Sequence, residues 1–292
     1  MTAVSLVMPV WRPNREWLRA AVASALADEC ALELLLVDDD GSADLAGLLA
    51  GVLDDRVRLL STEHGGPSHA RNVGLAAARG AFIRFVDSDD VVVPGSTSRL
   101  LALASPGTIV HAATVVCDES MRPERTIASE LEGRVERECL LGRFDTRVVS
   151  LLFPRAVVDA AGAWDTGFAV SGDWDFVLRC VEHAPVRRDR GVATYYRRNE
   201  GSVSRAASVA AGEAARRRVL EKYLERHPDA RGSKLARAAA AEAGLAAARG
   251  YAARGAGLTA AARVAGSSRT LPARSIATGL EVARLALRKR SR

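Results

Sequence analysis

Between Val4 and Val86 the chain alternates short, almost wholly apolar runs with helix-patterned stretches, and this alternation limits the folds open to it. Val4–Val10 is a buried-type run ended by the polar Arg12-Pro13-Asn14. Asn14 is placed to cap a helix on which Trp17, Leu18, Ala21, Val22, Ala25 and Leu26 recur at helical spacing. A second run, Leu32–Val37, leads into a helix expected from about Ala43 to Leu53, and a third strand follows at Val57–Leu60. The turn Gly65-Gly66-Pro67-Ser68 opens a helix to about Ala78, and Ala81–Val86 supplies a fourth strand. Strand–helix alternation of this kind predicts a parallel sheet covered by helices on both faces.

The ends of the second and fourth runs are acidic: Asp38-Asp39-Asp40-Gly41-Ser42 and Asp87-Ser88-Asp89-Asp90. In doubly wound sheets ligands bind at the carboxyl ends of strands. Three carboxylates beside an apolar strand repel one another unless a cation absorbs their charge. Asp87 and Asp89 have the Asp-x-Asp spacing that suits Mg²⁺ or Mn²⁺, an ion held by one or two carboxylates while it also contacts a diphosphate. A solvated turn rich in Asp is the competing reading.

Further along, a helix is expected around Gly95–Ala104 and strands at Thr108–Val116 and Arg147–Phe153. The charged, weakly patterned stretch between those strands, Asp118–Thr146, reads as a mobile insertion. Asp173–His183 has a helical stripe, and Val192–Arg198 reads as a last strand. Beyond Ser208 the chain is rich in Ala and Arg, and two to four helices are expected, ending in Ile276–Arg290. The implied division is residues 1–206, an α/β domain, and residues 207–292, a basic helical region.

Charge follows the same boundary. From Ala207 onward there are 18 Lys/Arg against 6 Asp/Glu, while the first 206 residues hold 23 against 29. The sequence pI near 9.5 therefore reports the tail and not the acidic body. Arg274–Arg292 patterns as a basic amphipathic helix that fits either an anionic membrane surface or a packed position on the catalytic domain. Aromatic residues in this region are limited to Tyr223 and Tyr251, a poor platform for stacking nucleic-acid bases. The four cysteines form no Cys-x-x-Cys pair, which argues against a zinc site or disulfide framework and for a reducing, cytoplasmic setting. No apolar run reaches the roughly 18 residues a membrane span needs, and a strand starting at Val4 leaves no room for a signal peptide.

Seven segments in order resemble the family 2 glycosyltransferases. They are Val4–Val10, Leu36–Ser42, Gly65–Gly74, Phe85–Asp90, Gly162–Asp165, Ser171–Phe176 and Tyr196–Arg198. The resemblance spans about residues 3–205 and implies a GT-A fold: a Rossmann-like, mainly parallel mixed sheet flanked by helices, here with an α-helical C-terminal extension. It also implies an inverting, hexosyl-type transfer from a UDP- or dTDP-sugar to a saccharide, lipid-linked or secondary-metabolite acceptor, as in polysaccharide biosynthesis.

On that resemblance Asp40 reads the nucleotide base, where a carboxylate accepts the imide N–H of uracil or thymine. An Asx turn or helix cap at Asp40 or Ser42 is the structural alternative, and Asp39 fits it too. Pro9, Val10, Trp11, Arg71, Asp87 and Ser88 complete the nucleotide-sugar site. Asp87 and Asp89 hold Mg²⁺ or Mn²⁺, and Asp90 is read as a cap for the helix near Pro94. Asp173 is the candidate catalytic base, with helix capping as its structural alternative.

The chain departs from the pattern at three places: Trp11-Arg12 replaces a Tyr-Asn pair, Gly172 replaces a Glu before Asp173, and Asn199 stands where relatives often carry a histidine. His64, His69, His111, His183 and His227 show no metal-ligand spacing and read as solvated or packing residues. Two rival functions are a non-catalytic nucleotide-sugar-binding module tethering a glycan-assembly complex and a sugar-1-phosphate nucleotidyltransferase. The second would need a Gly-rich basic loop after the first strand, where Met8–Arg12 stands instead.

Overall fold

The structure is a computed structural model that describes residues 3–30, 32–41, 43–199, 208–254 and 259. The chain divides into two units. The first comprises Met1–Cys139, Phe144–Phe168 and Asp175–Glu200; the second comprises Leu140–Arg143, Ala169–Trp174 and Gly201–Arg292.

The first unit is built on nine strands: β1 Val4–Val10, β2 Leu32–Asp38, β3 Val57–Ser61, β4 Phe82–Phe85, β5 Val91–Val92, β6 Ile109–Cys117, β7 Pro123–Ile127, β8 Leu151–Pro154 and β9 Val186–Arg197. They lie in the order β3-β2-β1-β4-β8-β6-β9-β5, with β7 added on β6. Pairing is parallel through β3, β2, β1 and β4 and again between β6 and β9; β8 runs antiparallel to both β4 and β6. The chain steps outward from β1 to β3 and then returns to β4 on the other side of β1. The strand order therefore reverses between β1 and β4, where doubly wound sheets open a ligand crevice.

Helix α1 (Arg15–Leu26) starts at Asn14, whose side-chain oxygen accepts from the N–H groups of Glu16 and Trp17. Its Leu18, Val22 and Ala25 pack with Leu6, Met8, Leu34 and Leu36 from one sheet face. Helix α3 (Pro67–Ala77) covers the other face. Gly74 is the point of closest approach, since a Cβ there would lie 2.4 Å from Val7 Cγ1. Phe85, Phe153, Trp164 and Phe176 form an aromatic cluster in which Trp164 stacks on Phe176 at 4.3 Å.

Helix α4 (Ser96–Leu103) begins after Gly95 without a side-chain cap on its own turn; Asp28 accepts from Thr97 and Ser98 N–H instead. Arg84 on β4 is fully buried and donates to Ser96 Oγ, Thr97 Oγ1 and Ala193 O, locking β4, α4 and β9 together. Burial pulls its pKa down to about 10.

Four expectations need correction. The helix expected over Ala43–Leu53 is only α2, Leu45–Leu48, because Gly51 turns left-handed at φ 78° and ends it. The stretch Asp118–Thr146 is not a bare insertion: it holds β7, paired with β6, and a short helix α5, Glu136–Leu140. Strand β7 escapes a hydrophobic pattern because four of its five side chains are solvent-facing. The last strand begins at Val186, six residues early, its charged start resting partly on Glu132, which accepts from Arg188 N–H. Finally, β5 and a helix α6 (Arg155–Ala161) were not foreseen; both are short and lack a periodic signal.

The second unit contains the first residues of α7 (Gly172–His183), then α8 (Val209–Arg226) and α9 (Lys234–Ala253). Ser208 and Ser233 cap α8 and α9 through hydrogen bonds from Ala211 and Ala236 N–H. Val209, at the start of α8, packs against Gly250, near the end of α9, so the two helices run antiparallel. Small buried residues on α9, Ala236, Ala239, Ala243 and Ala247, permit that close packing. Among the described residues no helix is long and apolar enough to cross a membrane. The expected basic helix Ile276–Arg290, and with it the membrane-surface expectation, lies outside the described residues.

Candidate active site

Parallel pairing puts the carboxyl ends of β2, β1 and β4 on one edge of the sheet. Val10 is in register with Asp38, and Val86 N–H bonds Val7 O just past β4. Two strand spacings, about 10 Å of backbone, therefore separate the two acidic segments. Pro9 and Val10 end β1 between them, and Trp11 follows, 47% exposed.

After β2 the three acids diverge in role. Asp38 is buried; its Oδ2 accepts from Ala43 N–H while Oδ1 has no hydrogen-bond partner among the described residues. Asp39 accepts from Gly65 and Gly66 N–H at 3.0 and 2.9 Å, with His64 Nδ1 3.0 Å from its Oδ2. Asp39 is thus a staple between the β2 end and the loop that starts α3, not a local Asx turn. Gly66 takes φ 83° to enter that helix, which only glycine does cheaply. Asp40 is partly exposed, and the cap of α2 is Asp44, so Asp40 does not cap that helix. Ser42 lies outside the described residues. His64 also stacks on Trp11, ring centroids 5.0 Å apart and nearly parallel. This histidine is not a passive surface residue; only its place one step before the double glycine hinted at that.

The turn after β4 concentrates charge. Asp87 O accepts from Asp90 N–H, closing a tight turn that contains Ser88 and Asp89. Asp87 Oδ1 accepts from Arg71 Nη2 at 2.7 Å, and the Arg71 guanidinium lies over the Trp164 ring at 4.7 Å. Asn72 on the same helix brackets Trp164, donating to its carbonyl and accepting from its N–H. Asp89 Oδ2 accepts from Asn199 Nδ2 at 2.7 Å. Asp90 is buried; its Oδ1 accepts from Arg197 N–H, its Oδ2 has no partner, and it does not cap α4. Arg197 also donates to Asp89 O and Glu119 O and lies over Trp17. It is the organising cation of this turn, a role the Tyr196-Arg197-Arg198 motif did not reveal.

Burial, and then the charge of Asp87, push the Asp89 carboxyl up to about 6. Asp90 is raised well above its ordinary value by burial and by both neighbouring acids. Like charges crowded in this half-buried turn, with Asp90 Oδ2 lacking a hydrogen-bond partner among the described residues, make a setting that a divalent cation would relieve. Among the described residues no group of three or more His, Cys, Asp or Glu is placed to enclose an ion. An ion at this turn would have at most the two carboxylates Asp87 and Asp89 and would need phosphate oxygens and water to complete its shell.

Asp173 belongs to the second unit. It stands in the first turn of α7, partly exposed, and its Oδ1 accepts from Trp174 N–H. Ser171, two residues before, has φ 62°, an unfavourable backbone for a non-glycine residue. Arg216 of α8 lies over the Trp174 ring at 5.1 Å.

The glycosyl transferase family 2 profile matches residues 5–152, half of the chain and all of the β1–β4 edge. Among relatives, the uncharacterized protein y4gI of Sinorhizobium fredii is 30% identical over 237 residues, 76% of this chain and 25% of that one. The succinoglycan biosynthesis protein ExoO of Rhizobium meliloti is 44% identical over 86 residues, 29% of this chain and 25% of that one. The matches thus span about a quarter of the length of these relatives. S. aureus TarS 1–349, crystallised with UDP-GlcNAc, shares the fold at 17% identity with a TM-score of 0.64, over 94% of this chain and 83% of that one. The chain belongs to glycosyl transferase family 2, with a GT-A-type fold.

Proposed function

We propose that the protein is a metal-dependent inverting glycosyltransferase of hexosyl type that takes its sugar from a UDP- or dTDP-sugar. The observation that carries this reading is the turn Asp87–Asp90, where Asp89 is pushed up to about 6 beside a strand-order reversal. Asp87 and Asp89 would hold Mg²⁺ or Mn²⁺. Such an ion, when bound, supplies positive charge against the diphosphate of the donor. Trp11 and Asp40 face the nucleoside at the ends of β1 and β2, Asp40 accepting from a pyrimidine imide N–H. Pro9, Val10 and Ser88 line the same edge. Arg71 orients Asp87 through their direct pair.

In the transfer, an acceptor hydroxyl oxygen attacks the anomeric carbon as the bond to the diphosphate breaks. Asp173 takes the hydroxyl proton, and the nucleoside diphosphate departs with the bonding pair. Single displacement inverts the anomeric centre. The likeness to TarS, crystallised with UDP-GlcNAc, supports a UDP-sugar donor, and the likeness to a succinoglycan biosynthesis protein supports a polysaccharide or lipid-linked acceptor.

A thermal-shift panel of nucleoside diphosphates with and without Mn²⁺ tests the donor side, because a ligand of the native state raises its melting point. UDP or dTDP should stabilise the protein only with metal; stabilisation by no diphosphate would overturn the assignment. Asp173→Asn should abolish transfer while keeping that shift. Metal-dependent UDP binding with no transfer to any acceptor would favour the binding-module alternative.

A further inference from the structure

Arg216 is a half-buried cation whose obvious partners are already engaged. Among the described residues its guanidinium makes no hydrogen bond and no ion pair. Its Cζ lies over the Trp174 ring, 5.1 Å from the centroid, and its Nη1 comes within 3.4 Å of where a Cβ on Gly142 would stand. Glu242 on α9 is close enough to act on its charge, yet that carboxylate is bound to Arg143 at 2.8 Å. Asp173 also acts on it from a distance, while one oxygen of that side chain is tied to Trp174 N–H. Arg249 brings a second unpaired guanidinium into the neighbourhood and adds repulsion. Burial holds Arg216 below the usual arginine pKa.

A guanidinium is planar and presents its N–H donors in a rigid fork, the arrangement that recognises carboxylate and phosphate. A partly desolvated cation left without an anion is costly, and a site that retains one is built for an anion that arrives. Three guanidiniums, Arg143, Arg216 and Arg249, against two carboxylates, Glu242 and Asp173, leave a positive surplus beside Asp173.

We propose that Arg216, lying over Trp174, binds an oxyanion group on the acceptor, so that the acceptor is an acidic saccharide or a phosphorylated one. This rests on the assignment of Asp173 as the base that the acceptor hydroxyl approaches. Arg249, exposed on α9, adds to the attraction without fixing its direction. Arg216 is then a specificity residue: it anchors the charged end of the acceptor, and Asp173 meets the hydroxyl end.

The test is titration calorimetry on the full chain with UDP and Mn²⁺ present, using methyl β-D-glucuronide, methyl β-D-glucoside 6-phosphate and neutral methyl β-D-glucoside as probes. Wild-type protein should bind one charged probe at least about tenfold tighter than the neutral one, the scale of a charge-assisted hydrogen bond. The better charged probe identifies carboxylate or phosphate as the source. Arg216→Gln should erase that preference, and Arg216→Lys should restore part of it, with UDP affinity unchanged in both. Equal binding of charged and neutral probes by the wild type overturns the proposal. So does a parallel loss of UDP affinity in Arg216→Gln, which would reassign the guanidinium to the donor. The parent reading fails separately, on Asp173→Asn retaining transfer, a result that leaves the probe preference measurable.

Discussion

Asn199 donates its side-chain amide to Oδ2 of Asp89 at 2.7 Å, so the chain just past β9 reaches the carboxylate presented by the turn after β4. That contact puts position 199 beside the proposed metal site. An imidazole nitrogen, the commonest metal ligand among side chains, is a stronger donor than a neutral amide. Asn199→His should raise Mn²⁺ affinity in the UDP-bound protein several-fold, and Asn199→Leu should lower it. Calorimetric titration of Mn²⁺ checks both; two variants indistinguishable from wild type would remove the residue from the site.

Asp89 gives a prediction of opposite sign for stability and for binding. Its pKa in the folded protein, about 6, lies above the unfolded value, with burial the larger cause and Asp87 the smaller. The group therefore favours folding below about pH 4 and loses that advantage as pH rises through 6. At pH 7 without metal it is a liability of about 1–3 kcal/mol. Asp89→Asn should raise the melting temperature of metal-free protein at pH 7, with the gain vanishing near pH 4, while abolishing Mn²⁺-dependent stabilisation by UDP. A fall in metal-free stability at pH 7 would contradict the charge-crowding account.

Trp11 separates nucleotide binding from folding. It is 47% exposed and rests on His64 alone among aromatic rings, with the Arg12 guanidinium 4.9 Å from its ring centroid. Removing it exposes little new apolar surface, so Trp11→Ala should leave the melting point within a degree or two. Loss of a stacking face should cost about 1–3 kcal/mol of UDP affinity, read by calorimetry. Unchanged affinity would place the nucleoside elsewhere on the edge.

The sheet edge was legible because both signals there are local. Buried parallel strands read as continuous apolar runs, and Asp38–Asp40 and Asp87–Asp90 stop them abruptly. The partners of those acids were not legible. Arg197 meets Asp90 across 107 residues and Asn199 meets Asp89 across 110, and no spacing rule encodes such separations. Within the first unit, Asp39 illustrates a second limit. Its composition matched an Asx turn, but the N–H groups it satisfies belong to Gly65 and Gly66, on another loop. The strand β7 and the charged start of β9 were missed for a third reason: their side chains face solvent, so backbone pairing holds them without any hydrophobic alternation.

Asp28 offers a stability test away from the proposed chemistry. The residue is buried just past α1 and takes three hydrogen bonds from the start of α4: Thr97 N–H at 2.9 Å, Ser98 N–H at 3.0 Å and Ser98 Oγ at 2.6 Å. It does for α4 what Gly95, having no side chain, cannot. Burial alone would raise its pKa, but the Ser98 hydroxyl and the two backbone donors outweigh it and hold the carboxyl below its ordinary value. A depressed folded pKa adds stability that is fully present above the unfolded value near 4 and is lost as pH falls through the folded one. Asp28→Asn puts an NH₂ against one of those N–H groups and removes the charge that strengthens the rest. The expected cost at pH 7 is about 2 kcal/mol, the upper range for a helix cap. In urea unfolding at pH 7, 5 and 3 the gap between wild type and variant should hold from pH 7 to 5 and narrow at pH 3, as the wild-type carboxylate protonates. A gap that stays constant down to pH 3 would mean that shape, and not the ionised carboxylate, anchors α4.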